Sequence, residues 1–175
     1  MKLTARARAL AVMGLVAAAA SVTGCGHAHA PPSAPHAHLQ GKLPDFARTD
    51  LSGARVDTAK LRGRVVVVKF FAKYCEPCKR TLPAIEAAHE AHADVAFVGI
   101  DEDESEADAR EMASTYGLTF AIVHDTSNVL SGLYRVRELP ATFIADREGI
   151  VRWVGGRMHT ENDVRAAIEE IAGKN

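Results

Sequence analysis

The chain has 175 residues, of which 47% are hydrophobic and 25% charged, and its formal net charge at pH 7 is −1. This length suffices for one folded domain with additional segments, and the nearly balanced charge gives no electrostatic reason to expect a nucleic-acid partner. The cysteines are Cys25, Cys75 and Cys78. Three cysteines are too few for a disulfide-rich scaffold or for a four-cysteine zinc site.

Residues 1–24 are predicted to be a secretory signal peptide. A basic start with Lys2, Arg6 and Arg8 is followed by an apolar stretch, residues 9–20, which is too short to span a bilayer comfortably. Small residues follow this stretch, and this order of features is typical of a cleaved signal. An uncleaved anchor helix stays open as an alternative.

Residues 25–41 are predicted to be a linker. Alanine, proline and histidine dominate this segment, and a proline-rich composition favours an extended, solvated chain. Its histidines, His27, His29, His36 and His38, could hold a transition metal because imidazole suits zinc and copper. The alternative is a flexible tether without a metal.

Residues 42–175 are predicted to form the folded domain. The apolar run 65–71, broken by Lys69, is typical of a strand buried on both faces. Further strands are predicted at 95–100, 120–124, 142–145 and 150–154, and helices at 78–92, 104–116, 127–134 and 160–171. Asp146–Gly149 predicts a hairpin turn because it ends in glycine. This alternation, closed by a hairpin and a helix, predicts an α/β fold with a central mixed sheet flanked by helices.

The motif Cys75-Glu76-Pro77-Cys78 lies between the first strand and the first helix. At a helix start, unpaired N–H groups and the helix dipole stabilise a thiolate, so we expect Cys75 to be the exposed attacking thiolate and Cys78 the less exposed resolving cysteine. Glu76 places a like charge beside the thiolate, which disfavours it. Pro77 fixes φ where a missing N–H is tolerated.

With these motifs, the chain resembles thioredoxin-fold proteins, and more narrowly the TlpA/ResA-like thiol–disulfide oxidoreductases, which are tethered to membranes outside the cytoplasm. The resemblance is carried by Val65–Tyr74 leading into the cysteine pair and by Leu139–Asp146 roughly 60 residues later. The polar helix that follows Asp101 suits this group. The resemblance covers roughly residues 42–172.

A second resemblance concerns the residues that follow the apolar stretch of the predicted signal peptide. Gly24-Cys25 resembles a bacterial lipobox, which implies cleavage before Cys25 and lipidation of its thiol. The alternative is a signal peptide that is cut elsewhere and leaves Cys25 free. A lipidated Cys25 implies a periplasm-facing lipoprotein of the bacterial cell envelope, in the inner or the outer membrane.

The resemblance also implies the reaction and its partners. No cofactor is expected beyond the redox-active Cys75–Cys78 disulfide. A cis peptide is implied at Pro140, with the backbone of Leu139 pairing with a substrate strand. The expected partners are protein disulfides, such as those of apocytochromes in cytochrome c maturation, and a membrane electron donor of the thiol-transfer type. Such a donor is needed because the compartment is oxidising.

The chain departs from this family at three positions. Tyr74 stands where members usually have tryptophan, Lys69 where thioredoxin has a buried aspartate and many relatives asparagine, and Thr81 where ResA-like relatives have glutamate. Both proton-handling carboxylates of the wider family are therefore replaced in this chain. We hypothesise that Lys69 is the buried polar group beneath the site, with a lowered pKa that lets it take a proton. The alternative is that its stem packs while its head reaches solvent.

Other interpretations remain open. Cys75 could react with peroxide, as in a thiol peroxidase of the peroxiredoxin type. The cysteine pair with His159 or the linker histidines could carry copper, although we expect no metal at the site. A permanent structural disulfide and a zinc half-site completed by His89 and His92 are further alternatives. The acidic run 101–106 is expected to be a solvated helix start, with a calcium site as the alternative.

Overall fold

The computed structural model describes residues 41–173. The strands are β1 (Ala47–Thr49), β2 (Arg55–Asp57), β3 (Val66–Phe71), β4 (Ala96–Asp101), β5 (Ala121–His124), β6 (Ala141–Ala145) and β7 (Val151–Gly155). The helices are α1 (Glu76–Ala91), α2 (Glu106–Thr115), α3 (Val129–Leu133) and α4 (Glu161–Ala172), and a short 3-10 helix spans Thr58–Leu61. Within this range, no helix is long and apolar enough to cross a membrane.

The predicted signal peptide, the lipidated Cys25 and the histidine-containing linker lie outside the described residues, apart from residue 41 at the end of that linker. These interpretations therefore stay predictions.

Five strands form one mixed sheet in the order β5-β4-β3-β6-β7. β3 pairs in parallel with β4, and β4 with β5, while β6 and β7 run antiparallel to their neighbours. The predicted mixed sheet is thus confirmed. Because β3 lies at its centre, the chain leaves the middle of the sheet at Phe71 and enters the loop that carries the cysteine motif.

Both faces of β3 are covered, which explains its nearly continuous apolar sequence. Val67 and Phe71 face a core shared with α1 and α4. Val68 and Phe70 face a second core on the other side, which contains Tyr134. Lys69 lies between two residues of the first core, so the alternation along the strand directs its side chain towards α1.

The hairpin turn predicted at Asp146–Gly149 is confirmed. Between β6 and β7, the N–H of Gly149 donates to the carbonyl of Asp146, and Gly149 has φ of 76°, which a glycine adopts without strain. At the start of α4, Thr160 and Asp163 form a reciprocal capping box.

The structure differs from the sequence-based elements in two places. The hairpin β1–β2 was not predicted, because its strands are three residues long and lack an alternating apolar pattern. Helix α1 begins at Glu76 rather than at Cys78, so both residues between the cysteines belong to its first turn. The remaining ends shift by one to two residues.

Candidate active site

The cysteine pair forms a disulfide at the junction of β3 and α1, with an S–S distance of 2.06 Å. Cys75 is the N-cap of α1, and its sulfur accepts a hydrogen bond from the backbone N–H of Cys78 at 3.2 Å. The loop before it is closed by the N–H of Cys75, which donates to the carbonyl of Ala72. The sulfur therefore lies at the end of the helix where unpaired N–H groups point.

Both cysteines are buried, and Cys75 is slightly more exposed than Cys78. Cys78 is 0% exposed and Cys75 is 6% exposed. The expectation that Cys75 is exposed is therefore wrong for the disulfide form, since its sulfur is bonded to Cys78 and turned into the first helical turn. Access is instead provided by a cleft beside it.

This cleft has a volume of about 770 Å³ and brings most of the predicted site residues together. It is lined by Tyr74, Cys75, Glu76, Pro77 and Leu139, among others. The Leu139–Pro140 peptide bond is cis, as expected, and it directly precedes β6, the antiparallel neighbour of β3. The cysteine motif and the loop that carries Leu139, roughly 60 residues later in the sequence, thus line the same cleft.

Residues 39–154 match the AhpC/TSA family. The chain belongs to this family. It is 34% identical over 132 residues to the thioredoxin-like protein YneN of Bacillus subtilis, which covers 73% of this chain and 77% of that protein. It is 30% identical over 130 residues to the thiol–disulfide oxidoreductase ResA of Geobacillus kaustophilus, covering 73% of this chain and 75% of ResA.

Among solved structures, the chain is similar to a secreted disulfide oxidoreductase of Mycobacterium tuberculosis that is homologous to E. coli DsbE. The TM-score is 0.64 at 25% identity, and the match covers 74% of this chain and 95% of that one. The resemblance to ResA-like proteins and the thioredoxin fold are therefore confirmed. With the disulfide in place at the start of α1, this protein is a thiol–disulfide oxidoreductase.

The two side chains that flank Cys75 in this oxidoreductase lie at the surface. Tyr74, in the place of the usual tryptophan, is 71% exposed and forms part of the cleft rim. Glu76 pairs with Lys79 one turn further along α1, an exposed contact that contributes little to stability. The charge that Glu76 presents to Cys75 is thus partly balanced by a cation on the same helix. Their predicted role in tuning the redox reaction stays a prediction.

Lys69 is buried beneath the site, with 1% of its surface exposed. The alternative in which its head reaches solvent is wrong. Its ammonium donates to the hydroxyl oxygens of Thr81 at 2.8 Å and Thr142 at 3.2 Å. Burial lowers the pKa of Lys69 to about 7, because desolvation disfavours the charged form. Lys69 and Thr81, two of the residues at which the chain differs from its family, are therefore in direct contact.

The sequence interpretation missed a carboxylate in the cleft itself. Glu102, directly after β4, lines the same opening as Cys75 and accepts a hydrogen bond from the hydroxyl of Ser131 on α3. Burial, and to a lesser degree the charge of Asp125, raises its pKa, while the Ser131 contact opposes this shift. Its place in the acidic run 101–106 is the available signal in the sequence, although such a run predicts solvated side chains.

That reading of residues 101–106 is partly wrong. Asp101 is fully buried at the end of β4, where it contacts Nδ1 of His124 at 3.1 Å. Asp103 is also buried and accepts the backbone N–H of Lys73 at 2.7 Å. Burial, and then the neighbouring Asp103, raises the pKa of Asp101 to about 8. Asp103 thus holds the loop that leads to Cys75, and Asp101 accepts the backbone N–H of Asp103 at 3.2 Å.

Metal ligation finds no support in the part of the chain that the structure describes. Between residues 41 and 173, no group of three or more histidine, cysteine, aspartate or glutamate side chains is arranged to hold a metal ion. His89 packs against the rings of Phe97 and Phe120, and His159 against Trp153. His89 and His159, named in the zinc and copper alternatives, thus lie against aromatic rings in this structure.

Proposed function

We propose that this oxidoreductase reduces disulfide bonds of protein substrates outside the cytoplasm, while anchored to a membrane. One observation carries the proposal. A disulfide caps the first turn of α1, and its N-terminal sulfur borders a cleft that is large enough for a polypeptide segment. The relatives named as thiol–disulfide oxidoreductases support the same class of reaction.

The reaction follows from the difference between the two sulfurs. In the reduced protein, the thiolate of Cys75 attacks one sulfur of a substrate disulfide, which breaks that bond and releases the other substrate sulfur as a thiolate. Cys78 then loses its proton and attacks the Cys75 sulfur, which releases the second substrate thiolate and restores the Cys75–Cys78 bond. The substrate gains two electrons and the protein loses two.

Recharging needs a partner, because the Cys75–Cys78 disulfide must be reduced again after every turnover. We assign this step to a dithiol of a membrane electron donor, with apocytochromes among the substrates, as the family resemblance implies. Lipidation of Cys25 would hold the domain near such a donor, and residues 25–41 would serve as the tether.

Metabolic labelling with a fatty acid tests the anchor: the label is expected on the full chain and lost in Cys25→Ala.

A covalent trap tests the proposed substrate class. In Cys78→Ser the resolving sulfur is missing, so we expect Cys75 to retain substrate proteins as mixed disulfides that dithiothreitol releases. Cys75→Ser is the matched control and should retain none. Equal amounts of bound protein on both variants would contradict the assignment of Cys75 as the attacking sulfur.

The two rival functions make different predictions. A thiol peroxidase consumes hydrogen peroxide, and its first sulfur becomes a sulfenic acid rather than a mixed disulfide. A copper carrier binds Cu(I) when reduced and loses it in Cys75→Ser. We expect slow peroxide consumption that Cys78→Ser does not accelerate, and copper binding no tighter than that of an unrelated dithiol.

A further inference from the structure

The cleft beside Cys75 contains charges of both signs, and most of them are matched within the protein. The charged side chains that line it are Glu76, Glu102, Arg137, Glu138 and Arg157. Glu76 pairs with Lys79 on α1, and Arg157 lies 3.9 Å from Glu138. Among residues 41–173, neither Glu102 nor Arg137 has an ion-pair partner. The cleft therefore contains one unmatched carboxylate and one unmatched guanidinium.

Glu102 is fixed in a half-buried position with little to balance its charge. Its backbone N–H donates to the carbonyl of Phe71 at 3.0 Å, and its carboxylate accepts the hydroxyl of Ser131. Burial raises the pKa of Glu102, the Ser131 contact opposes this rise, and the neighbouring anion Asp125 adds to it. A carboxylate that loses hydration without gaining a cation is destabilised in its charged form. A cation that enters the cleft would offset this cost.

Arg137 provides the opposite charge from a different part of the sheet. It is exposed and lies two residues before Leu139, in the segment that leads to the cis peptide and β6. Glu102 instead directly follows β4. β4 and β6 are the two neighbours of β3, the strand that leads to Cys75. The strand order thus places the two unmatched charges on different sides of the strand that carries the chain to Cys75.

We propose that Glu102 and Arg137 select substrates by the charges beside the substrate disulfide. The preferred polypeptide has a lysine or arginine that contacts Glu102 and, on the other flank of its cysteine, an aspartate or glutamate that contacts Arg137. A segment with this order of charges is attracted at both places while its sulfur meets Cys75, whereas the reverse order brings like charges together. This inference rests on the proposed function and deepens it, because it names the substrate class.

The test compares two blocked model peptides of equal composition and equal net charge. One has lysine before and aspartate after its single cysteine, the other has the two exchanged, and each is used as its symmetric disulfide. Because the net charges are equal, attraction to the whole protein is the same for both peptides, and a difference in rate reports the order of charges. Oxidation of the reduced protein is followed by acid quench, alkylation and intact mass. The uncharged 2-hydroxyethyl disulfide is the reference reagent.

The variants remove one charge each and keep the shape of the side chain. Glu102→Gln and Arg137→Gln change the two proposed contacts, alone and together. Glu104→Gln and Arg135→Gln are the matched controls, because each changes the net charge by the same amount two residues away and neither side chain lines the cleft. All proteins should react with the uncharged reagent at rates within about twofold of wild type.

We expect wild type to react at least about threefold faster with one peptide than with the other, the size expected for two partly exposed ion pairs. Glu102→Gln and Arg137→Gln should each reduce this ratio, and the double variant should bring it close to one. Both controls should keep it. Equal rates for the two peptides in wild type overturn the inference, and so does a ratio that survives in the double variant or is lost equally in the controls. If wild type does not react with the uncharged reagent either, the proposed function fails as well.

Discussion

The sulfur of Cys75 accepts a hydrogen bond from the backbone N–H of Cys78, 3.2 Å away. This contact makes the attacking residue the cap of the helix that carries its partner. A cap of this kind satisfies an N–H at the helix start and favours negative charge there. The same backbone therefore holds the disulfide form and stabilises the thiolate that forms on reduction.

The first prediction concerns the reactivity of the two thiols. In the fully reduced protein at pH 7, we expect iodoacetamide to alkylate Cys75 at least about tenfold faster than Cys78, because the thiolate is the nucleophile and Cys75 lies at the helix start beside the cleft. Mass spectrometry of tryptic peptides measures both rates. Cys75→Ser and Cys78→Ser assign the signals, and faster modification of Cys78 would reverse the proposed roles.

The second prediction follows from the burial of Lys69. Its pKa is about 7 in the folded protein and near the ordinary value of about 10.4 in the unfolded chain. Between these values the unfolded chain binds more protons, so the contribution of Lys69 to the free energy of unfolding rises with pH from about 7 to about 10. Urea unfolding should show this rise in wild type and a weaker one in Lys69→Met. Parallel curves for the two proteins would mean that Lys69 keeps an ordinary pKa.

The third prediction concerns Asp101, whose contribution to stability changes with pH in the opposite direction to that of Lys69. Burial raises the pKa of Asp101 to about 8, so the folded protein binds the additional proton between about pH 4 and pH 8. The contribution of Asp101 to stability is therefore complete below about pH 4 and is lost as pH rises towards 8. Asp101→Asn, which stays neutral, should gain stability relative to wild type between pH 5 and pH 8.

Guanidinium unfolding at pH 5 and pH 8 measures the difference in stability between Asp101→Asn and wild type. Asp94→Asn, which changes an exposed carboxylate, is the control. A variant whose stability falls in step with wild type over this range would show that Asp101 is already ionised in the folded protein.

The fourth prediction concerns the core on the face opposite α1. The hydroxyl of Tyr134 donates to the carbonyl of Pro44 at 2.8 Å, and its ring packs against Phe70 and Phe143. Tyr134→Phe should lower the free energy of unfolding by about 1–2 kcal/mol, and Tyr134→Ala by about 3–5 kcal/mol. Thermal and urea unfolding measure both. A cost for Tyr134→Phe as large as that for Tyr134→Ala would show that the hydroxyl, not the ring, dominates.

Much of the fold was readable from local signals. The run 65–71 and the glycine-terminated turn Asp146–Gly149 each depend on neighbouring residues alone, and both are placed correctly. The cis peptide at Pro140 came from the family resemblance. The short strands of the β1–β2 hairpin carry no periodic apolar pattern, so nothing local distinguished them from a loop.

The polar interior of the site could not be read in this way. Whether Lys69 is buried depends on hydroxyl partners that are 12 and 73 residues away in the sequence. The place of Glu102 in the cleft depends on α3, which supplies Ser131. Acidic residues near a helix start are normally solvated, and only the three-dimensional packing of β4 shows that Asp101 is enclosed.

The central claim is that the Cys75–Cys78 bond opens and closes in the folded protein. It is tested most directly by a redox titration of the native protein in dithiothreitol buffers, with alkylation and intact mass as the readout. The account predicts a reversible two-electron transition with a midpoint nearer to about −270 mV than to about −120 mV. A bond that stays closed in the folded protein at every potential, and opens only in denaturant, would contradict it.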